Sequence, residues 1–266
     1  MSSKGKILIV EPLKNFDKVQ GFDFVVENLE AFNEVVKLGL SENCYLKINT
    51  GMNRFGFRYD DFKSLKKVAK IAKKSKIKGL MTHFSYLDDE EYTLLQYQRF
   101  CKVRKLFPKN INISFGGSNV ISKDFCFNEC RIGIGFYGYE RGEVEPILSL
   151  KSSILRIIEL KDGEELGYSN KYISQGKTKV GVVGIGYGDG LSRALKDFYV
   201  YVNGQRCDII GNICMDCLFI NVSEVEANAG DEVVFERADL TANHLNTISY
   251  EVLTNLSRVR GKTVIL

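Results

Sequence analysis

The chain has 266 residues, 44% hydrophobic and 26% charged, which is enough to bury one or two ordinary cores. A formal net charge of +4 is too small to argue for a nucleic-acid partner. Seven cysteines are spread over the chain without a signal-peptide or membrane-spanning run, so a cytoplasmic protein with no membrane partner is expected. The basic run from Lys63 to Lys78 interleaves with Phe62, Leu65, Val68, Ala69 and Ala72 at helical spacing, which predicts a solvated helix face rather than a phosphate patch. Cys214 and Cys217 have a redox or zinc spacing, but the only histidines are His83 and His244. With no second pair following, buried structural cysteines and no metal are expected.

In chain order, Ile7 to Val10 reads as a strand stopped by Glu11-Pro12, and Phe22 to Val26 as a second. Asn28 is placed to cap a helix with Leu29, Phe32, Val35 and Val36 on one face and Gly39 as its stop. Cys44 to Ile48 is a third strand, followed by a glycine-containing loop and the lysine-rich helix. Ile77 to Thr82 is a fourth, preceding a helix with Phe100, Val103 and Phe107 that Pro108 closes. Ile111 to Phe115 is a fifth strand and Cys130 to Ile134 a sixth. Strands alternating with helices imply a parallel sheet with helices outside it. No G-x-G-x-x-G follows the first strand, and a closed barrel needs eight units, two more than are counted.

From Pro146 the helical period gives way to six further strands, at 147–160, 178–187, 198–202, 206–214, 218–222 and 232–236, with Asn203-Gly204 as a hairpin turn. One helix follows, starting near Thr247 or Ser249, and Thr263 to Leu266 is another strand. Two domains are expected, 1–145 with strand–helix units and 146–266 mainly β.

Several stretches have the residue types of a site. Arg54, on the loop after the third strand, suits a carboxylate or phosphate, or is a surface arginine on a glycine turn. His83 ends the fourth strand, where barrels keep their chemistry, although a lone histidine after an apolar strand is more often structural. Ser114-Phe115-Gly116-Gly117-Ser118-Asn119 leaves the fifth strand with small residues and a hydroxyl, which suits a phosphate or an ordinary turn. Arg131-x-Gly133-Ile134 repeats the theme. The glycines from Gly184 to Gly190 permit close approach of another backbone to Tyr187, and Gly211 to Asp216 is a similar corner.

Taken together, LKINTGMNRFGF (46–57), MTHFS (81–85), GGSN (116–119), RIGIGFYG (131–138), GYSNKY (167–172), GIGYGDG (184–190), GNICMD (211–216) and ISYEVL (248–253) resemble the fold type III, pyridoxal-phosphate-dependent alanine racemases. The likeness covers nearly the whole chain, in order and with family-like spacing. It implies an α/β fold, a (β/α) TIM-type barrel lacking its first two units, followed by a C-terminal mainly-β domain. It also implies pyridoxal 5'-phosphate as cofactor, alanine as substrate and a homodimer with shared active sites. By position, Arg54 resembles the arginine on the substrate carboxylate and cofactor phenolic oxygen. Lys47 resembles a supporting lysine, carbamylated in some members. His83 would lie against the pyridine ring, and Arg131 would face its nitrogen. Ser118, Gly133 and Ile134 would bind the phosphate. Tyr187 is similar to the family's second base, delivered from the partner subunit. Met215 would set its backbone at the substrate carboxylate with Asp216 beside it.

The implied reaction exchanges the α-proton of an alanine aldimine between two bases, supplying D-alanine for cell-wall synthesis. Family members carry the Schiff-base lysine in a K-A-N/D-A-Y-G-H-G motif, and no such motif occurs in these residues. The start of the chain instead resembles the entry to the family's third strand, so a chain missing the lysine segment is expected, with little activity alone. The alternatives are a truncated inactive or regulatory relative, or a racemase of another small amino acid such as serine. Asn49 stands where the family usually has aspartate and Asn212 where it commonly has arginine. Ser257-Arg258-Val259-Arg260 is one residue short of the usual spacing.

Overall fold

The computed structural model describes residues 6–139 and 144–256. The strand expected at 263–266 and the short segment at 257–260 lie outside the described residues. The chain divides into two units, Met1–Phe136 and Tyr137–Leu266, and each is considered by itself.

The first unit runs β1 (Leu8–Ile9), β2 (Asp23–Val26), α1 (Leu29–Lys37), β3 (Cys44–Asn49), β4 (Phe57–Arg58), α2 (Phe62–Ser75), β5 (Gly79–His83), α3 (Glu90–Arg104), β6 (Asn112–Gly116) and β7 (Glu129–Arg131). Six strands pair in parallel in the order β1-β2-β3-β5-β6-β7, and β4 adds to β3. Helix starts follow local chemistry. Asn28 accepts from the Ala31 N–H at 2.9 Å, Asp61 from Ser64 N and Asp89 from Tyr92 N, so each short polar side chain satisfies an otherwise unpaired donor. The lysine-rich helix is α2, which buries Leu65, Val68, Ala69 and Ala72 and turns its lysines to solvent.

Residues alternate between the two sheet faces. Phe24, Val26, Leu46, Ile48, Leu80, Ile113 and Phe115 join Phe32, Leu65, Phe100 and Val103 in one core between strands and helices. Val25, Tyr45 and Met81 form a separate cluster on the opposite, inner face. The sixth strand is shorter than expected. It ends at Arg131, and Ile134 lies in a short 3-10 turn, because Gly133 breaks the extended run.

The second unit contains a closed six-stranded antiparallel barrel in the order β11-β14-β13-β12-β15-β8. Its strands are β8 (Lys151–Leu160), β11 (Thr178–Val183), β12 (Tyr199–Val202), β13 (Gln205–Ile210), β14 (Leu218–Asn221) and β15 (Glu232–Phe235). A small ribbon, β9 (Glu165–Leu166) with β10 (Tyr172–Ile173), precedes β11. Val200 and Val202 alternate with half-exposed Tyr199 and Tyr201, as a one-sided core requires. Asn203 and Gly204 both have positive φ (51° and 74°), the geometry that joins Val202 to Gln205 in a two-residue hairpin. Two helices follow rather than one, α4 (Ala238–His244) and α5 (Ser249–Leu256). The first has only seven residues, too few for its periodicity to show in sequence.

Phe115 is fully buried, with the rings of Phe84, Tyr97, Phe100 and Phe127 centred 5.0 to 6.1 Å away. Phe115→Ala is expected to cost ~3–5 kcal/mol in urea unfolding. A loss below about 1 kcal/mol, roughly one methylene's burial, would show that this cluster does not hold the unit together.

Candidate active site

Strand register arranges the inner face in rows. Val25, Tyr45, Gly79 and Asn112 lie side by side, then Lys47, Met81 and Ser114 with Glu129, then His83, Gly116 and Arg131. Gly79 has the Tyr45 ring over it, and the Tyr45 phenol reaches both Glu129 carboxylate oxygens at 2.8 Å. In the last row Gly116 stands between a histidine and an arginine on neighbouring strands. A Cβ there would collide with His83 Nδ1 and with the Arg131 guanidinium, so the missing methyl lets both side chains converge over the central strand.

Arg131 is held at two points. One terminal nitrogen donates to Ser114 Oγ at 2.6 Å and the other to the Thr82 carbonyl at 2.9 Å. Burial pulls it down to about 10, partly offset by Glu129, so it stays charged at neutral pH. His83 responds to the same surroundings. Burial first, then Arg131, Arg54 and Lys47, hold its imidazole down to about 4. Lys47 is buried on β3, and burial, Arg54 and Arg131 also lower its amine, against a smaller opposing effect of Glu27.

Arg54 is exposed on the loop after β3. Asn49 folds that loop: its Oδ1 accepts from Gly51 N at 3.1 Å and Asn53 N at 3.0 Å. The amide at the position where aspartate was expected therefore keeps the acceptor function without a charge. Ser118 is buried after β6, and its Oγ accepts from Gly133 N at 3.3 Å and Gly135 N at 3.1 Å. Those bonds tie the turn after β7, which contains Ile134, to the turn after β6. Arg54, His83, Ser118, Arg131, Gly133, Ile134 and Lys47 are thus assembled within the first unit.

In the second unit, the chain leaves β11 through Gly184 and runs along residues 214–215. Tyr187 N donates to Cys214 O at 3.0 Å and Gly188 N to Met215 O at 2.8 Å. A Cβ on Gly186 would strike the Cys214 and Met215 backbone, so that glycine is needed for the two segments to touch. Buried Asp189 closes the turn by accepting from Gly186 N at 3.1 Å. Tyr187 (42% exposed) and Met215 (60% exposed) are presented together, with Asp216 adjacent. Asn212 donates to Tyr168 O at 2.8 Å, fixing the neighbouring loop where Gly167, Ser169 and Asn170 have positive φ.

Sequence reasoning gave Glu129 no role and placed Ser114 only in the small-residue stretch that leaves the fifth strand. Both alternate with apolar residues along their strands, Ile113 and Phe115 around one and Cys130 beside the other, and that period was the available signal.

Between pH 6.5 and about 4 the unfolded chain binds a proton at residue 83 that the native state refuses, so the His83 contribution to stability is lost as pH falls through that window. In a proton NMR titration the His83 C2–H signal is expected to keep its neutral position until about pH 4. A midpoint near the ordinary histidine value would refute the burial of that ring beside Arg131, Arg54 and Lys47.

Comparison with known proteins completes this picture. Residues 3–141 match the family model for the alanine racemase N-terminal domain, and residues 147–264 the model for the alanine racemase C-terminal domain. The alanine racemase of Aquifex pyrophilus is 34% identical over 232 residues, covering 83% of this chain and 65% of that protein. That of Thermodesulfovibrio yellowstonii is 30% identical over 247 residues, covering 87% and 68%. The solved alanine racemase of Acinetobacter baumannii superposes with a TM-score of 0.84 at 25% identity, over 97% of this chain and 78% of that one. The chain spans about two thirds of the length of these curated relatives. With both domain models matched in order along a half-barrel and a β-barrel, the chain belongs to the alanine racemase family of pyridoxal-phosphate-dependent isomerases.

Proposed function

We propose that this chain supplies substrate- and cofactor-facing residues of an alanine racemase. The observation that carries the reading is the convergence of His83 and charged Arg131 over Gly116, between the Arg54 loop and the Ser118 turn.

The inner face fits pyridoxal phosphate. Ser118 Oγ already accepts from Gly133 N and Gly135 N, so its own proton is left to donate, and with the N–H group of Ile134 it would make a donor pair for a phosphate. His83, uncharged at neutral pH, offers a flat ring against an aromatic face. When bound, the cofactor supplies the electron sink that acidifies the α-hydrogen of an amino acid. Arg131, charged at neutral pH, would face the nitrogen of a bound pyridine ring without surrendering a proton to it, which would limit charge delocalisation and suppress side reactions. Arg54 would pair with the substrate carboxylate.

Tyr187 is the acid–base group this chain contributes, moving a proton at the alanine α-carbon; a second group on the opposite face completes the exchange. In this reading the protein is a cytoplasmic homodimer in which Tyr187 of each subunit serves the partner's barrel. Seven free cysteines support a reducing location. Among the described residues no helix is long and apolar enough to cross a membrane.

Alanine racemisation by the protein isolated from its source cells, followed by chiral chromatography, tests the reading. Tyr187→Phe is expected to lower kcat by ~10²–10⁴-fold with KM little changed. Mixing Tyr187→Phe and Arg54→Gln subunits should restore part of the activity if sites are shared. No racemisation by the wild type sinks the substrate assignment, and an unchanged kcat in Tyr187→Phe sinks the role of that residue.

Lys47 suits carbamylation, since burial and two neighbouring guanidinium groups disfavour its cation and a carbamate would present an anion to Arg54. A carbamate carbon signal is expected in NMR after incubation with carbon-13 bicarbonate, and is expected to vanish in Lys47→Gln. Its absence from the wild type would overturn the assignment.

A further inference from the structure

Behind the inner face runs a chain of buried polar groups. Gln96 lies in the middle of α3 with 0% exposure, and Thr50 and Thr82 are each 1% exposed. Polar groups so placed must be paired with each other, and their geometry shows how. The Thr82 hydroxyl donates to the Ile48 carbonyl at 2.9 Å, which uses its only proton. The 2.9 Å contact between the Thr50 and Thr82 hydroxyls therefore has Thr50 as donor. Thr50 Oγ1 in turn accepts from Gln96 Nε2 at 3.2 Å. The other end of the same amide, Gln96 Oε1, accepts from Ser85 N at 3.1 Å and Ser85 Oγ at 3.0 Å.

The direction of this chain matters because of what hangs from it. Thr50 opens the loop that carries Arg54, Ser85 follows His83 by two residues, and the Thr82 carbonyl accepts from Arg131 at 2.9 Å. Helix α3 grips the first loop twice more, through Arg99 to the Thr50 carbonyl and Tyr92 to the Gly51 carbonyl, both at 3.0 Å. We infer that Gln96 is a positioning residue: through Thr50, Thr82 and Ser85 it holds the Arg54 loop and the His83 and Arg131 strand ends in one fixed arrangement. A carboxylate at this position could accept from Ser85 but could not donate to Thr50. An apolar side chain of the same length does neither. An amide supplies both functions, which is the physical reason for glutamine in the interior of this helix.

The inference deepens the proposed racemase site and rests on it for its effect on turnover, but its structural readout does not need activity. The groups facing the His83 ring are Arg131, Arg54 and Lys47. Displacing any of these cations raises the imidazole midpoint, so His83 reports the arrangement directly. The chain has two histidines, and His244→Gln assigns the remaining NMR signal. In Gln96→Leu, and in Thr50→Val, which keeps the shape of the side chain, the His83 midpoint is expected to rise by about half a unit or more. Ile113→Val, a change confined to the apolar core, is expected to lower Tm without moving it. A midpoint unchanged in Thr50→Val and in any folded Gln96→Leu protein overturns the inference, as does an ordinary midpoint in the wild type. If the midpoint moves but the wild type does not racemise alanine, the racemase reading fails and the positioning role stands. If the wild type racemises alanine and the midpoint does not move, the positioning role fails and the racemase reading stands.

Discussion

Side chains on a β-strand point alternately to the two faces of its sheet, and the whole first unit depends on that alternation. One face of β3, β5, β6 and β7 gives Leu46, Ile48, Leu80, Ile113, Phe115 and Cys130 to a core shared with the helices. The other gives Lys47, His83, Ser114, Glu129 and Arg131 to the inner side. Because neighbouring strands pair in register, these side chains fall into rows rather than scattering. A shift of one residue in β3 would put Lys47 in the place of a core hydrophobe, and in β7 Arg131 or Glu129 in the place of Cys130, so the energy of the core also keeps these side chains on the inner side.

Three neighbouring cations and a histidine on one face are costly to keep together. The fold manages this in three ways. Glu129 opposes the charge of Arg131, and Tyr45 in turn donates to Glu129. His83 and Lys47 are both biased toward their neutral forms. The guanidinium of Arg131 is restrained by a hydroxyl and a carbonyl, so its direction is set even though its charge is not fully balanced. An electropositive surface of this kind becomes more favourable when an anion binds, which is what a carboxylate and a phosphate would provide.

Much of this was legible in the sequence because strand period, helix caps and glycine turns are local signals. Asn28 was readable as a cap, Asn203-Gly204 as a hairpin, and the lysine run as the outer face of α2. The motifs carrying Arg54, His83, Ser118 and Arg131 were legible because each sits where a strand stops. What was not legible depended on distant partners. The closure of β8 with β11 and β15 follows from pairings across more than 70 residues of chain at the farthest. The helix α4 and the two-residue strand β4 are too short to show a period. Gln96 and Thr82 look like ordinary polar residues until their partners are known.

The replacement at residue 49 joins these themes. An aspartate there would accept the same two backbone bonds from Gly51 and Asn53, and would also place a negative charge on the loop that bears Arg54. Asparagine retains the loop geometry, and its Nδ2 adds a bond to Asn53 Oδ1 at 3.3 Å. It leaves the positive field of Lys47, Arg54 and Arg131 uncompensated at that edge. The loop shape is therefore set by hydrogen bonds that do not depend on charge, while the charges remain available to whatever anion the face receives. Geometry and electrostatics are separated in this part of the molecule, so a substitution can alter one without the other. A carboxylate at residue 49 would change the field around His83 while leaving the backbone path from Thr50 to Arg54 in place.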